Sequence, residues 1–295
     1  MPTTRRGGVV LAEEHRPPRI RRLVVRLVLL VLAAGLVFAG WMGIRGLVTN
    51  FGGPRCQATA LGSSVDFDPS QTAYAATIEA VAERRGLPAR AATIAIATAI
   101  QESKLRNLKY GDLDSVGLFQ QRPSQGWGTT EQILDPVYAT NRFYDALVKV
   151  HGYETMKITE IAQKVQKSAY PDAYASHEQE GRLLASTLSG HSPGGLGCRL
   201  NDATTGDPAG LKSALGHEMG VSSTVSGRTL TVHAASERAA WNAGAYAVAK
   251  AAQYGATTVR VGSKQWTRTR DSSGWQWQNA SPAGAATTVT VTFAG

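Results

Sequence analysis

The 295-residue sequence predicts a mainly helical domain, preceded by one transmembrane helix and followed by a small α/β domain. Three observations lead there. Residues 27–44 are uncharged and flanked by Arg26 and Arg45. Residues 65–190 hold five stretches with helix start and stop signals. From residue 228 the pattern changes to short alternating runs around one Ala-rich stretch. The chain therefore divides into a basic tail (1–22), an anchor (23–45), a linker (46–64), the helical domain (65–190), a second linker (191–227) and the C-terminal domain (228–295).

At 1.5 Å per residue the uncharged run reaches about 27 Å, close to the hydrocarbon thickness of a bilayer. Seven arginines precede it against Glu13 and Glu14, so the tail holds five of the nine net positive charges. That excess places the tail in the cytoplasm and residues 46–295 outside the cell membrane, as a single-pass protein. The alternative is a signal peptide cleaved after Val37-Phe38-Ala39. The run is longer than a usual signal core, which favours an uncleaved anchor. The rest of the chain is mildly basic, without a Lys/Arg stripe interleaved with aromatics, which argues against nucleic acid as a partner. Cys56 and Cys198 are the only cysteines. An even pair outside the membrane suggests one disulfide, tying the start of the helical domain to its end.

Asp68 caps a first helix from Pro69 to Arg85, and Gly86 ends it. Pro88 suits the first turn of the next helix, which contains Ala91 to Lys104. Its Ala, Ile and Thr fill every face from Ala91 to Ile100, so it is buried on most sides. Asp135 and Pro136 start a third helix with Val137, Phe143, Tyr144 and Leu147 inward. Thr159 caps a fourth, with Ile161, Ala162 and Val165. Tyr170 and Pro171 break the chain, and Asp172 starts a fifth that ends at Gly190.

Residues 91–128 carry the chemistry. Glu102 lies at the end of the buried helix, four residues after Thr98 and seven after Ala95, and shares their face. A carboxyl there is partly desolvated and its pKa raised, as a general acid needs near neutrality. Asp112 to Gln121 follow, rich in Asp, Ser, Gly and Gln, then a loop with Trp127. Amides suit sugar hydroxyls and indole suits the apolar face of a sugar ring. Ser115, Gln120, Gln121 and Trp127 are therefore candidate ligand contacts.

Glu102-Ser103 at a helix end, followed by Ser115-Val116-Gly117-Leu118-Phe119-Gln120, resembles the lytic transglycosylase and goose-type lysozyme pattern. There a catalytic Glu followed by Ser precedes a Ser…Gly-Leu-Met-Gln turn. Phe119 stands where Met is usual, and the Ser-x-Gly spacing is compressed. Residues 111–129 are similar to a group of membrane-anchored lysozyme-like proteins of actinobacteria. The resemblance covers roughly residues 56–190 and implies a lysozyme-like domain with peptidoglycan as its substrate. It implies Glu102 as the catalytic acid, and Ser115 and Gln120 as residues that shape the site and bond the acetamido sugar. It also implies that Tyr170 or Tyr174 faces the Glu across the cleft, although the usual Ala-Tyr-Asn-x-Gly context is absent. Asp112 and Asp114 are the nearest candidates for a second carboxylate. With one carboxylate, cleavage gives an anhydro product, which makes lytic transglycosylation the favoured route. The rival is a non-catalytic wall-binding or assembly protein retaining the fold. Neither a cofactor nor a metal is expected.

In the C-terminal domain Thr229 to Ala234 alternates as a strand, and Ser236 caps an Ala-rich helix ending before Gly255. Thr257–Val261, Gln265–Thr269, Trp275–Gln278 and Thr287–Phe293 read as strands, giving an order β-α-β-β-β-β with the helix on one sheet face. The helical domain is expected to survive deletion of residues 228–295. Trp266, Trp275 and Trp277 either bind sugar or cover the sheet, and covering is favoured. Three motifs fail on context. Gly190-x-Ser192-x-Gly194 follows a helix rather than a strand. Asp112-x-Asp114 lacks the Glu of a calcium loop. His217-Glu218 has no second His.

Overall fold

The computed structural model describes residues 27–37, 40–41, 53–166 and 171–295. The chain forms two units, Met1–Asn50 and Phe51–Gly295. In the first, residues 27–37 form helix α1. Among the described residues no helix is long and apolar enough to cross a membrane. The expectation of a transmembrane helix is corrected accordingly. The tail 1–22 and the remaining residues of 23–45, apart from 40–41, lie outside the described residues.

The mainly helical expectation is corrected in the second unit, where helices share the fold with two antiparallel sheets. Strand β1 (Arg55–Ala60) forms a hairpin with β2 (Ser63–Phe67) and pairs on its other side with β3 (Leu196–Arg199). The register sets Cys56 opposite Cys198, and the two are joined by a disulfide. Both strands lie in segments expected to be linkers. The alternation of Cys56, Ala58 and Ala60 inward is real but weakly apolar. Leu196–Arg199 gains its order only from pairing with a strand far upstream.

Helix α2 (Pro69–Arg84) begins where Asp68 and Pro69 direct it, with the Asp68 N–H donating to Gln71 Oε1 at 2.8 Å. Helix α3 (Ala89–Ser103) follows, and every residue from Ala91 to Ile100 is buried. Burying each of Ile94, Ile96 and Ile100 stabilises the fold by about 1.5–3 kcal/mol. A short helix α4 (Thr130–Ile133) precedes α5 (Pro136–Leu147), whose Asp135 cap accepts from the Val137 N–H at 2.9 Å. Helix α6 (Ile158–Gln166) starts before Thr159, which is therefore inside the first turn and not its cap. The last helix of this part begins later than Asp172. A 3-10 segment spans Pro171–His177 and leads into α7 (Glu178–Leu188). A Cβ on Gly181 would stand 2.7 Å from the Thr93 carbonyl, so the glycine is what lets α7 approach α3 so closely.

The segment 191–227 holds β3, helix α8 (Pro208–Ala214), a π-helical turn Leu215–Met219 that runs through Gly216, and β4 (Thr224–Ser226). The chain continues through β5 (Thr229–His233), α9 (Glu237–Ala249), α10 (Ala251–Tyr254), β6 (Ala256–Val261), β7 (Lys264–Thr267), β8 (Gln278–Asn279) and β9 (Thr288–Phe293). The sheet order is β4-β5-β9-β6-β7-β8. The strand expected at Trp275–Gln278 is mostly not a strand: Ser272–Trp275 is a 3-10 turn and β8 holds two residues. Ser236 caps α9 as expected, its Oγ accepting from the Ala239 N–H at 3.1 Å. Helix α9 packs on β6 and β9 on one side and on α2 and α7 on the other. That explains its alanines, since small side chains let one helix fill a layer between two neighbours.

Candidate functional site

The site is built at the C-terminal end of α3. Glu102 is half-buried there, and Ser103 beside it is buried. The Tyr174 hydroxyl donates to Glu102 Oε1. Tyr174 is itself fully buried in the 3-10 segment that precedes α7. Tyr170 lies outside the described residues. Packing of α7 and its lead-in on α3 thus brings a phenol to the carboxylate from a point 72 residues on.

Ser103 ties the other wall. Its hydroxyl lies 2.7 Å from the Leu118 carbonyl and 3.0 Å from that of Ala99, and accepts from the Arg106 N–H at 3.2 Å. The Ser115–Gln120 turn is therefore fastened to the residue next to Glu102. Gly117 has φ +81°, and a Cβ there would meet the Ile133 carbonyl at 2.8 Å, so the turn requires glycine on two counts.

The backbone between these walls is strained. Among the described residues five non-glycine residues have positive φ, and four of them follow Glu102: Lys104, Leu105, Leu113 and Gln120. Each costs on the order of 1–3 kcal/mol and persists only where surroundings hold it. Gln71 Nε2 donates to the Lys104 carbonyl at 2.7 Å, the Leu105 N–H reaches the Ala99 carbonyl at 3.0 Å, and the Leu105 side chain is buried. Such strain gathers at ligand clamps and active sites.

The other candidates are placed as follows. Ser115 is buried and its Oγ accepts from Arg122 Nε at 3.0 Å. Gln120 is half-buried, its Nε2 3.2 Å from the Gly117 carbonyl and 3.4 Å from that of Tyr110. Gln121 is buried and turned toward α5, donating to the Ala139 carbonyl at 3.3 Å. Trp127 is half-buried against the core, and its carbonyl accepts from Tyr138 and Arg142. Asp112 is exposed and paired with Arg122 Nη2 at 2.5 Å. Asp114 is exposed and accepts from the Ser124 N–H at 2.8 Å, which foremost holds its carboxyl below the ordinary range. Both aspartates are thus engaged within their own loop.

Sequence reasoning passed over Arg122, Lys104 and His177. Arg122 staples Asp112 and Ser115 to the turn at Pro123–Gln125. His177 bonds Glu180 through Nδ1 at 2.6 Å, with Nε2 3.5 Å from Lys104 Nζ. Only Arg122 had a readable signal, as the one cation among the aspartates. Among the described residues no group of three or more His, Cys, Asp or Glu could hold a metal ion.

Trp266 is fully buried, its indole N–H shared between the carbonyls of Gly274 at 2.7 Å and Cys198 at 3.2 Å. It belongs to the core. Trp275 and Trp277 instead line a cleft against the β1–β2 hairpin.

Comparison with known proteins found no family model that matches this chain and no matching curated protein.

Proposed function

We propose that this chain cleaves envelope glycan strands outside the cytoplasm, as a lytic transglycosylase with Glu102 as its single acid and base. The observation that carries the reading is the Tyr174 hydroxyl on Glu102, at the rigid end of a buried helix and beside a strained turn. The Cys56–Cys198 disulfide supports an oxidising compartment. The motif resemblance supports peptidoglycan, cut between N-acetylmuramic acid and N-acetylglucosamine.

Glu102 protonates the glycosidic oxygen as the bond to C1 breaks. The leaving sugar departs with that proton on its hydroxyl. The C6 hydroxyl oxygen then attacks C1, and its proton returns to Glu102. The product is a 1,6-anhydro sugar, and no water is consumed. Tyr174 orients the carboxylate through its hydrogen bond. Asp112 and Asp114 are held by Arg122 and Ser124, which favours the route needing one carboxylate.

The test is Glu102→Gln, which keeps the shape and removes the titrating proton. Cleavage of purified sacculi should fall by about 10²–10⁴-fold or more. Mass spectrometry of products from the unmodified chain should show muropeptides lacking the added water. Unchanged turnover in Glu102→Gln overturns the reading. Absence of turnover by the unmodified chain would instead leave a non-catalytic wall-binding or assembly protein, a reading favoured by Ser115 Oγ and Gln121 Nε2 being spent on internal partners.

A further inference from the structure

A second cleft, of about 650 Å³, lies between the β1–β2 hairpin and the segment from β7 to β8. Its volume falls in the range of ligand sites. Trp275 and Trp277 are two residues apart across an extended Gln276, and both line it. Neither ring is loose. The Arg199 guanidinium sits 5.1 Å from the Trp275 ring centroid. Trp277 packs edge-on against Trp241 at 5.0 Å, and its indole N–H donates to the Leu196 carbonyl at 2.8 Å. Held indoles of this kind offer area at little entropic cost.

The facing wall is polar. Thr59 and Ser64 bring hydroxyls from the hairpin, bonded to each other at 2.8 Å, and Gln57, whose Nε2 donates to Asp66 Oδ1 at 3.0 Å, and Gln276 bring amides. Lys264 is the one charged residue among those lining the cleft. Flat aromatic faces combined with hydroxyls and amides match a sugar chain, whose rings have apolar faces and hydroxyl edges. Amides also pair with acetamido groups, and a single cation suits a polymer with occasional carboxylates.

The cleft is linked to Glu102 through α7. Tyr174 and His177 stand just before its first turn, and Gln179 Nε2 reaches Ser63 Oγ on the hairpin at 3.4 Å. At the other end, Ser186 Oγ holds Ser192 Oγ at 2.8 Å in the turn whose Gly194 abuts Trp277. Both ends of this helix, about 16 Å long, therefore touch segments that line the cleft, and its first turn follows the residues at Glu102.

We propose that the Trp275–Trp277 cleft is a second glycan-binding site that holds an acetamido-sugar strand while another part of that strand reaches Glu102. The identity of the strand rests on the cleavage reading above, whereas the sugar chemistry of the cleft stands on its own residues.

The experiment uses the full chain carrying Glu102→Gln, with tryptophan labelled at the indole nitrogen, titrated with an N-acetylglucosamine hexamer. Indole resonances separate the two places, because Trp127 reports the loop that follows the Ser115–Gln120 turn while Trp275 and Trp277 report the cleft. Resonances of Trp275 and Trp277 should shift along a saturable curve. Ser64→Phe, at an exposed position, should weaken that binding at least tenfold while circular dichroism stays unchanged, and Gln276→Ala should weaken it less. Shifts confined to Trp127, or a curve untouched by Ser64→Phe, overturn the proposal and leave the cleavage reading intact. Cleft shifts in a protein whose unmodified form releases no muropeptides uphold the cleft and remove the cleavage reading.

Discussion

The side-chain amide of Asn242, on α9, donates a 2.7 Å hydrogen bond to Glu79 Oε2 on α2, and another at 2.8 Å to the Leu188 carbonyl that ends α7. Three helices from the two ends of the compact unit meet at this amide. Glu79 is buried, and burial foremost, with the neighbouring charge of Glu83 next, pushes its carboxyl from 4.5 up to about 8.

A pH dependence follows from that raised value. Between about pH 4.5 and 8 the folded protein keeps a proton on Glu79 that the unfolded chain has released. The folded state then binds more protons, so stability falls as pH rises through this window and levels off above it. The effect is on the order of several kcal/mol. Urea unfolding of Glu79→Gln should lose this slope and be more stable than the unmodified chain at pH 8. Parallel slopes for the two proteins would contradict it.

Lys250 and Glu218 form a second junction. Lys250 Nζ lies 2.8 Å from Thr77 Oγ1 and 3.2 Å from the Glu218 carboxylate, with both side chains largely buried. Burial pulls the Lys250 ammonium below its ordinary pKa. Lys250→Met strands the carboxylate and should cost about 3–5 kcal/mol, whereas Lys250→Met with Glu218→Leu should recover most of it. A single variant as stable as the double would show that the pair is not coupled.

The disulfide bears on the whole second unit. It closes a loop over a sequence separation of 142, worth about 5 kcal/mol in the chain-entropy model. The sequence alone ties it to the helical domain, from start to end. Yet Trp266 hydrogen-bonds the Cys198 carbonyl, and α9 packs on α2 and α7. Cys56→Ser with Cys198→Ser should therefore lower helix dichroism and tryptophan fluorescence in one shared transition. For the same reason, deletion of residues 228–295 should unfold the helical part rather than leave it active. Two separated transitions would argue for independent parts.

Tyr174 should matter through its hydroxyl. A hydrogen bond to a charged group is worth about 1.5–3 kcal/mol, so Tyr174→Phe should slow glycan cleavage by about 10–100-fold. Its melting temperature should fall by about 2–4 °C for each kcal/mol lost, with circular dichroism unchanged because the ring still fills the same space. Full activity in Tyr174→Phe would reduce Tyr174 to packing.

Several of these features were readable in the sequence. Asp68-Pro69 and the uncharged stretch Ala91–Ile100 located α2 and α3, because capping and burial act within a few residues. The same stretch put Glu102 at the end of a buried helix. The segment 191–227 was not readable, since Gly, Ser and Pro carry no periodicity and β3 is ordered by its partner β1.

By itself, then, the sequence determined what is local: the starts of α2, α5 and α9, the alanines of α9, the cysteine pair and the position of Glu102. Only the tertiary structure decided that Tyr174 meets Glu102, because that contact depends on how α7 seats on α3 through Gly181. It also decided the positive φ of Lys104, Leu105 and Gln120, which no residue type announces. Such conformations exist only where distant partners such as Gln71 hold them. The same holds for α9, buried between sheet and helices, whose Asn242 and Lys250 find partners on α2 and at Glu218. Contacts of long sequence separation are set by packing of whole elements, and a chain read residue by residue contains no record of which elements will touch.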